Sequence, residues 1–396
     1  MNNITNFLGL QGIVLDNFSE DENNITLYVH TPVSPQRCPC CGKTTSYVHG
    51  YRTQKVKDLP MRLKNVTIIL KKRRYICKQC NKTFFEKYSF LPKYHRGTNR
   101  RFLGIIQALN SSRSLKDIAL SFNSSTNTVQ RMLKTLSSPP KNLLPLALGI
   151  DEFKGNTNKE KYQCILTDLT TGNIFDILPN RNKSYLIEYF KQFSNRNEVK
   201  FFVMDMTNNY KSLAFLFPNA KIIADRYHYV RQVYWALDNV RKRIQKVFIK
   251  DKRIYFKHSR KLLFKDYDKL KDDEKQALIV MLSQSEELHT AWRLKEDFKY
   301  FRQTTTRKDA ERELLIWILE AEESGLLEFK AATTAFHNWG KCIVNSVVYK
   351  YSNGITEGFN NKIKVLKRNA YGYRNFDNFR TRIILNCTKF GNQACA

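Results

Sequence analysis

The chain has 396 residues and a formal net charge of +31, because 67 lysines and arginines stand against only 36 aspartates and glutamates. This imbalance is too large for ordinary solvated surface and predicts a polyanionic partner, with nucleic acid the expected one. A membrane partner is disfavoured, because no apolar run approaches the roughly 18 residues that span a bilayer and the first residues do not form a signal peptide. We expect a soluble, cytoplasmic protein of about two to four domains.

The first 92 residues are predicted to divide into a lead segment and a small cysteine-rich domain. In the lead, residues 1–31, the side chains of Ile25, Leu27 and Val29 alternate as in a half-buried strand. In residues 32–92, cysteines and basic residues crowd together and acids nearly vanish. This change of composition predicts a separate DNA-binding domain.

Two Cys-x-x-Cys pairs predict a structural zinc site in that domain, since each pair lets two thiolates of one turn take adjacent corners of a tetrahedron. The predicted ligands are Cys38, Cys41, Cys77 and Cys80. The wide separation of the pairs requires a zinc ribbon with a long intervening hairpin. The total of nine cysteines, an odd number, also fits a metal site better than a disulfide framework. Cys40 in place of Cys41 stays an open alternative, whereas unpaired buried cysteines are disfavoured, as are three possible histidine ligands, His30, His49 and His95.

Residues 93–140 predict a helical DNA-binding domain that ends at paired prolines. Residues 114–122 form a first predicted helix, and Ser125 or Thr126 caps a second that runs to Leu136. This pattern favours a helix-turn-helix, although an ordinary helical hairpin shares it. The residues expected to meet base edges are Asn127, Thr128, Gln130 and Arg131. The residues of the cysteine-rich domain expected to contact DNA are Lys71, Lys72, Arg73 and Arg74.

Beyond residue 140 the hydrophobic period changes from that of helices to that of strands. Four short apolar strands are predicted within residues 146–204, with a helix near residues 183–193. This order is typical of an α/β layer with a mixed sheet, which we assign to residues 141–228. Residues 229–345 predict an all-α insertion, and residues 346–396 are expected to complete the α/β layer.

Three acids stand where a phosphoryl-transfer site needs them. Asp151 follows the apolar run of residues 143–150, and Asp205 follows residues 200–204. An acid directly after a strand is exposed on a rigidly held backbone, as a metal ligand requires. Glu357, on a helix predicted to begin near Asn353, supplies a third carboxylate for a two-metal site. Solvent-facing charge is the alternative for any single acid.

Further polar residues are predicted beside these acids. Asp225 follows another apolar run and precedes His228 by three residues, so this pair either lines the site or orients its DNA. Lys364 and Arg368 share the helix face of Glu357 and are expected to bind phosphate. Glu152 is the alternative to Asp151.

The order of these features resembles that of the bacterial insertion-sequence transposases of the ISL-three family. The resemblance covers nearly the whole chain. Its most specific motifs are residues 149–152 (GIDE), 203–207 (VMDMT), 224–228 (ADRYH) and 353–364 (NGITEGFNNKIK).

The resemblance implies a multi-domain α+β protein, in which a zinc ribbon and a helix-turn-helix precede an RNase H-like catalytic domain interrupted by a large α-helical insertion. It implies that Asp151, Asp205 and Glu357 form a DDE triad binding two Mg²⁺ or Mn²⁺ ions, which cuts and joins the terminal inverted repeats of its own element. A homodimer in the synaptic complex and association with the bacterial nucleoid are also expected. Two alternatives remain: an inactive transcription regulator, and a structure-specific nuclease that cuts but never joins.

Overall fold

The computed structural model describes residue 10 and residues 12–137 and 141–387, which form two compact units. Unit 1 comprises residues 1–138 and 365–396, and unit 2 comprises residues 139–364. The predicted stop at prolines 139 and 140 lies outside the described residues, as do most of residues 1–11 and residues 388–396.

The main sheet of unit 1 has the strand order β1-β2-β6-β5, with β7 paired to β6. Strand β2 is parallel to β6, and the other neighbours are antiparallel. Strands β3 and β4 form a separate small pair. The strands are β1 Val14–Glu20, β2 Asn24–His30, β3 Gln36–Arg37, β4 Thr44–Thr45, β5 Val48–Lys57, β6 Asn65–Ile76 and β7 Thr83–Phe85.

The lead segment belongs to this sheet and is not separate from the cysteine-rich domain. Ile25, Leu27 and Val29 are buried in alternation, which confirms the predicted strand. Because β2 pairs with β6 along its length, its apolar face packs on the same core as Val66 and Ile68. The boundary predicted at residue 31 therefore does not separate two folding units, because residues on both sides of it pack in one core.

Three helices follow the sheet: α1 Asn99–Leu109, α2 Leu115–Ser121 and α3 Thr126–Thr135. A hydroxyl side chain caps the start of each one, as hydroxyl residues commonly do. The caps are Thr98, Ser114 and Ser125. The inner faces pack Ile105, Ile118 and Val129 into one small core. Both helices predicted from residues 114–136 are confirmed, and Ser125, rather than Thr126, is the cap of the second.

Unit 2 contains a five-stranded mixed sheet of order β10-β9-β8-β11-β12 among the described residues. Strands β8, β9 and β10 form an antiparallel meander, whereas β11 and β12 run parallel to β8. The strands are β8 Ala147–Phe153, β9 Gln163–Asp168, β10 Asn173–Leu178, β11 Phe201–Met204 and β12 Lys221–Ala224. The predicted α/β layer with a mixed sheet is confirmed.

Helices surround this sheet and extend beyond it. The first two are α4 Lys183–Lys191 and α5 Asn208–Lys211, and short 3-10 turns lie at Arg196–Glu198, Ala214–Leu216 and Tyr267–Lys269. The predicted insertion is all-helical: α6 Arg226–Val247, α7 Lys250–His258, α8 Arg260–Phe264, α9 Asp272–Leu282, α10 Glu286–Gln303, α11 Arg307–Glu323 and α12 Leu327–Val348. Helix α13 spans Gly354–Asn369, near the predicted start at Asn353.

An aromatic cluster holds the long insertion helices together. The ring of Trp317 on α11 lies 4.8 Å from that of Phe298 and 4.9 Å from that of Phe336, centroid to centroid. Helix α12 is also tied to the sheet, because Asn345 donates a 2.7 Å hydrogen bond to the carbonyl of Ile222 on β12. The insertion and the sheet therefore share one core within unit 2.

The last described helix, α14 Phe376–Cys387, departs from the prediction for residues 346–396. It packs on α1 and α3 of unit 1, with Leu385 in their core. Arg382, fully buried, donates to the carbonyls of Leu109, Ser111 and Arg113. The carbonyl of Leu109 belongs to the last residue of α1 and the other two follow it, where helical donors run out. These bonds hold α14 in unit 1, so α14 does not complete the α/β layer.

Candidate functional site

Three neighbouring strands of unit 2 bring acids to the same end of the sheet. Asp205 directly follows β11 and Asp225 directly follows β12, as predicted. Asp151 lies within β8 and not after it, because β8 continues its pairing with β9 to Phe153. Since β8 pairs with β11 only as far as Gly149, Asp151 still lies beyond the end of the parallel ladder.

Asp205, Asp225 and His228 form a close cluster, whose possible ligand atoms all lie within 4.8 Å of one another. The Nε2 atom of His228 lies 3.0 Å from the Oδ2 atom of Asp205. Burial lowers the pKa of His228, but the hydrogen bond and charge of Asp205, together with Asp225, raise it more, so the net pKa is above its ordinary value. The imidazolium form is thereby favoured beside Asp205.

Asp151 is close enough to Asp205 for their charges to interact. Burial and the negative charge of Asp205 raise the pKa of Asp151 to about 7. Burial also raises the pKa of Asp225, followed by a smaller contribution from Asp205, against a hydrogen bond from the backbone of Asn353. Carboxylates that repel one another in this way are stabilised by a cation.

Helix α13 attaches to these strand ends through two asparagines. The backbone N–H of Asn353 donates to Asp225 over 3.1 Å, and its side chain donates to the carbonyl of Ile150. About two helical turns further along the chain, the Nδ2 atom of Asn360 donates to Asp151 over 2.7 Å. Glu357 lies between them, four residues after Asn353 and three before Asn360, which places it on the same helix face.

Glu357 is exposed and lines a cleft of about 700 Å³ that Asp225 also lines. The structure thus clusters Asp205, Asp225 and His228, with Asp151 near enough to interact with Asp205 through its charge. Glu357 is outside that close cluster of the described residues and lies on the helix whose Asn360 is hydrogen-bonded to Asp151. Lys364 and Arg368 follow on the same helix and are both exposed.

Gly149 allows this helix to approach the sheet. A Cβ atom at this position would lie 2.4 Å from the hydroxyl of Thr167 and 3.1 Å from the Oδ1 atom of Asn353. Both distances are closer than side-chain packing normally permits, so a larger residue would displace the start of α13. The glycine therefore belongs to the site although it carries no chemistry.

The donor atoms of this site fit hard divalent cations. Mg²⁺ and Mn²⁺ prefer carboxylate and amide oxygens. Besides the carboxylates, the Oδ1 atom of Asn360 is buried and has no hydrogen-bond partner among the described residues. Glu152, the alternative to Asp151, is instead paired with Arg181. Asp151 is therefore the better candidate ligand.

The second candidate metal centre lies in unit 1, where Cys38, Cys41, Cys77 and Cys80 place their sulfurs within 4.8 Å of one another. The Sγ atoms of Cys38 and Cys80 are 3.6 Å apart, and those of Cys41 and Cys77 are 3.5 Å apart. A tetrahedral zinc with bonds of about 2.3 Å requires sulfurs about 3.8 Å apart, so the four fit a structural zinc. Cys40 is exposed and is not part of the cluster.

The backbone of each cysteine turn also favours thiolates. Amide hydrogen bonds from Cys80 and Gln79 lower the pKa of Cys77 to about 7. An amide hydrogen bond from Cys41 likewise lowers the pKa of Cys38. Backbone amides also lower the pKa values of Cys41 and Cys80, but burial and hydrogen bonds with other cysteines of the cluster raise both pKa values on balance. Because the thiolate is the form that binds metal, Cys38 and Cys77 are the two thiols prepared for zinc, and metal binding must release the protons of the other two.

The predicted basic run on β6 is divided between the two faces of the sheet. Lys71 and Arg74 are exposed, and Lys72 is half-buried beside Gln54. Arg73 is buried and paired with Glu86, so its prediction as a DNA contact is wrong. The reason is a set of tertiary contacts, because the guanidinium of Arg73 donates to Glu86, to the hydroxyl of Thr31 and to the carbonyl of Pro32.

The predicted recognition residues lie at the start of α3. Asn127 and Arg131 are exposed, and Thr128 and Gln130 are half-buried. The hydroxyl of Thr128 is 2.9 Å from that of Ser125, which caps the helix. The exposed pair is therefore available to a ligand, and Thr128 takes part in the cap.

Two asparagines and one arginine of the site were not predicted from the sequence: Asn353, Asn360 and Arg181. The helical spacing of the first two around Glu357 was a signal that could have found them. Arg181 lies in a loop after β10, where sequence spacing carries no such signal.

Comparisons with known proteins agree with this organisation. Residues 148–383, more than half of the chain, match the ISL3 family model described as transposase, and residues 34–80 match a zinc-finger of transposases IS204, IS1001, IS1096 and IS1165. The chain is 26% identical over 379 residues to the transposase for insertion sequence element IS1001 of Bordetella parapertussis, covering 91% of this chain and 90% of that protein.

A second relative matches only a short segment. It is a protein of Lactococcus lactis subsp. lactis described as an ATP-dependent protease, 58% identical over 43 residues, which are 11% of this chain and 14% of that protein. So short a match carries no argument about function.

In the described residues, no helix is both long and apolar enough to cross a membrane. The matches over most of its length show that the chain belongs to the ISL3 (ISL-three) family of transposases, enzymes that act on DNA.

Proposed function

We propose that this transposase binds the terminal inverted repeats of its insertion sequence, cuts the strand at each end and joins the freed ends to target DNA. The observation that carries the proposal is the convergence of Asp151 and Asp205 beyond the end of the parallel ladder between β8 and β11, beside a helix that carries Glu357. Such a constellation suits phosphoryl transfer, in which positioning and charge stabilisation supply most of the catalysis.

The strand order of unit 2 supports an RNase H-like catalytic domain. An antiparallel meander of three strands followed by two parallel strands on the side of the first strand is the arrangement that the family resemblance implies. The insertion then begins directly after β12, where Asp225 precedes helix α6. We assign residues 141–228 and helix α13 to this catalytic domain and helices α6 to α12 to its insertion.

The triad Asp151, Asp205 and Glu357 would hold two Mg²⁺ or Mn²⁺ ions, which supply an activated water and neutralise the leaving 3′ oxygen. The chain's own residues prepare this site. His228 fixes the carboxylate of Asp205, and Asn360 fixes that of Asp151. The backbone N–H of Asn353 holds the carboxylate of Asp225 in place. We assign to Asp225 the role of orienting the site.

Cations on helix α13 are positioned to bind the DNA backbone. Lys364 lies two turns after Glu357 and is exposed, and Arg368 follows one turn later. We assign both to phosphate contacts, which fix the strand relative to the carboxylates without reading its sequence.

Unit 1 is proposed to select the element's ends. The helices α2 and α3 are joined by a short turn and share one core, which supports a helix-turn-helix. We assign Asn127, Thr128, Gln130 and Arg131, at the start of α3, to reading base edges. The zinc ribbon adds the exposed cations Lys71 and Arg74, with Lys72 beside them. Cutting two ends in one complex calls for two copies of the chain, so we expect a homodimer in that complex, located at the bacterial nucleoid.

The proposal is tested with cloned element ends, a target plasmid and Mg²⁺, scoring cleaved and joined products. Asp205→Asn keeps the size of the side chain but removes its charge, so cleavage and joining are expected to vanish while end binding remains. Glu357→Gln should behave in the same way, whereas Asp225→Asn should retain some activity. Glu188→Gln, at an exposed acid of α4, is the matched control and should retain full activity.

Each alternative function predicts its own outcome in this assay. An inactive regulator binds the ends and never cuts them, and a structure-specific nuclease cuts them and never joins them. Continued joining by Asp205→Asn would show that the triad is misassigned, and Asp225 would then be the first replacement to test.

A further inference from the structure

The corner between helices α6 and α7 is the most basic part of the insertion. Residues 241–261 contain ten lysines and arginines and one acid, Asp251. The turn between the helices also exposes two apolar side chains, Val247 at 82% and Ile249 at 75%. Positive charge this dense, at a distance from the catalytic carboxylates, indicates a second surface that attracts a negatively charged ligand.

A cleft of about 390 Å³ opens at this corner. No carboxylate lines it among the described residues, and its lining consists of Asn239, Lys242, Arg243, Gln245, Lys246 and Arg253. Gln245 joins the two helices at the cleft, because its amide donates a 2.9 Å hydrogen bond to the carbonyl of Arg253. The cleft is therefore held in shape by the chain itself.

The cations of the cleft differ in how far they are neutralised. Arg243 is paired with Glu287 and Glu328, and Lys242 lies 2.8 Å from the buried carboxylate of Asp238. Lys246 and Arg253 are exposed, and no carboxylate of the described residues forms an ion pair with either. Positive charge on these two lining residues is thus left without a paired carboxylate in the part of the chain that the structure describes.

We propose that this cleft binds the phosphate backbone of duplex DNA, as a contact separate from the catalytic carboxylates. Lysine and arginine supply the charge, and the exposed amide of Asn239 supplies a further donor to phosphate oxygens. The inference rests on the proposed function in one respect, namely that the duplex bound here is the one being cut.

Helix α6 sets the distance between the two contacts. His228 lies in its first turn, and Lys242 and Lys246 lie 14 and 18 residues later. At a rise of about 1.5 Å per residue, the cleft is about 21 to 27 Å from the catalytic cluster along the helix. That length corresponds to about 6 to 8 base pairs at about 3.4 Å per pair, so the cleft is expected to contact phosphates this far from the cut.

The test compares two triple variants of the full chain. Lys242→Gln, Lys246→Gln and Arg253→Gln together remove three charges from the cleft. Lys308→Gln, Lys330→Gln and Lys341→Gln remove three exposed charges from α11 and α12 of the same insertion. Binding to duplexes that contain an element end is measured without Mg²⁺ at several salt concentrations, and thermal unfolding checks that both variants fold.

Loss of phosphate contacts should make the salt dependence less steep. The slope of log K against log salt is expected to fall by about 2 to 3 in the cleft variant and to stay unchanged in the control. Duplexes shortened stepwise from either side of the cut should abolish this difference once one side is shorter than about 6 base pairs. Equal slopes in the two variants, or a difference that persists when both sides are shorter, overturn the proposal.

The readout is independent of the proposed catalysis. Because binding is scored without Mg²⁺, failure of the wild-type protein to join ends would contradict the proposed function and leave the slope comparison intact. Conversely, joining by the wild-type protein together with equal slopes in both variants would retain the function and remove the cleft contact.

Discussion

Asp151, Asp205 and Asp225 are crowded together: burial raises the pKa of Asp151 and of Asp225, and the negative charge of Asp205 raises both pKa values further. Such crowding costs free energy in the protein alone and is relieved when a cation or a proton joins the group. His228 supplies one positive partner to Asp205. The negative charge of Asp151 is not neutralised in the same way, because Asn360 contributes a hydrogen bond but no positive charge.

Asn360 should therefore act as a positioning residue for Asp151. We expect Asn360→Ala to reduce the cleavage rate by about 10-fold to 100-fold, because the carboxylate loses the donor that fixes its orientation. The Mg²⁺ concentration that gives half-maximal cleavage should rise as well. Measuring cleavage over a range of Mg²⁺ concentrations separates this effect from a loss of folding.

The next residue on the helix provides the control for Asn360. Asn361 is exposed, and its side chain accepts a bond only from Lys364 among the contacts in the described residues. Asn361→Ala should leave the Mg²⁺ requirement unchanged. If both variants shift it equally, the effect belongs to the helix and not to the contact with Asp151.

At the scale of elements, the strand ends were the most predictable part of the site. Asp205 and Asp225 could be placed from short apolar runs alone, because such runs end where a polar side chain begins. The apolar run before Asp151 did not predict that β8 continues past it to Phe153, because this extension depends on hydrogen bonds to another strand, β9. The same limit applies to Arg73, whose burial depends on its tertiary pairing with Glu86.

The position of helix α14 could not be predicted from the sequence either. Its apolar residues predict a helix that packs on something, but the pattern does not say on which partner. The decisive contacts join Arg382 to carbonyls about 270 residues earlier in the chain, with sequence separations of 273, 271 and 269. Tertiary hydrogen bonds of this kind cannot be predicted from the local sequence pattern.

Arg382 should accordingly stabilise the helical cluster of unit 1. Arg382→Met retains much of the volume but leaves buried carbonyls without donors, at a cost of about 1 to 3 kcal/mol for each one that water cannot reach. We expect earlier proteolytic cleavage within α1 to α3 and weaker binding to the ends. Arg374→Met, at an exposed position just before α14, should change neither.

At the scale of the whole molecule, the two units hold two kinds of metal site. The cysteines of unit 1 offer four thiolates and leave no open position for chemistry, whereas the acids of unit 2 offer oxygen ligands. The sequence predicted this division because ligand type and spacing are local features. It did not predict that the lead strands belong to unit 1, because β2 finds its partner β6 more than thirty residues later.

Metal removal should separate the two sites. Brief exposure to a chelator is expected to stop cleavage, which Mg²⁺ restores, while end binding persists. Structural zinc in zinc-finger peptides binds with an apparent free energy of about 10 to 16 kcal/mol, so only prolonged chelation should remove it here and abolish end binding. Zinc, and not Mg²⁺, should then restore binding, as followed by metal analysis and gel shift.

Two cysteine variants assign the zinc ligands within unit 1. Cys77→Ser should reduce the zinc content from about one ion per chain and weaken end binding, because a closed tetrahedral site needs all four thiolates. Cys40→Ser should change neither quantity, since this exposed thiol lies outside the cluster although it adjoins Cys41 in sequence. Equal losses in the two variants would mean that Cys40 also binds the metal, and the assignment of Cys38, Cys41, Cys77 and Cys80 would have to be abandoned.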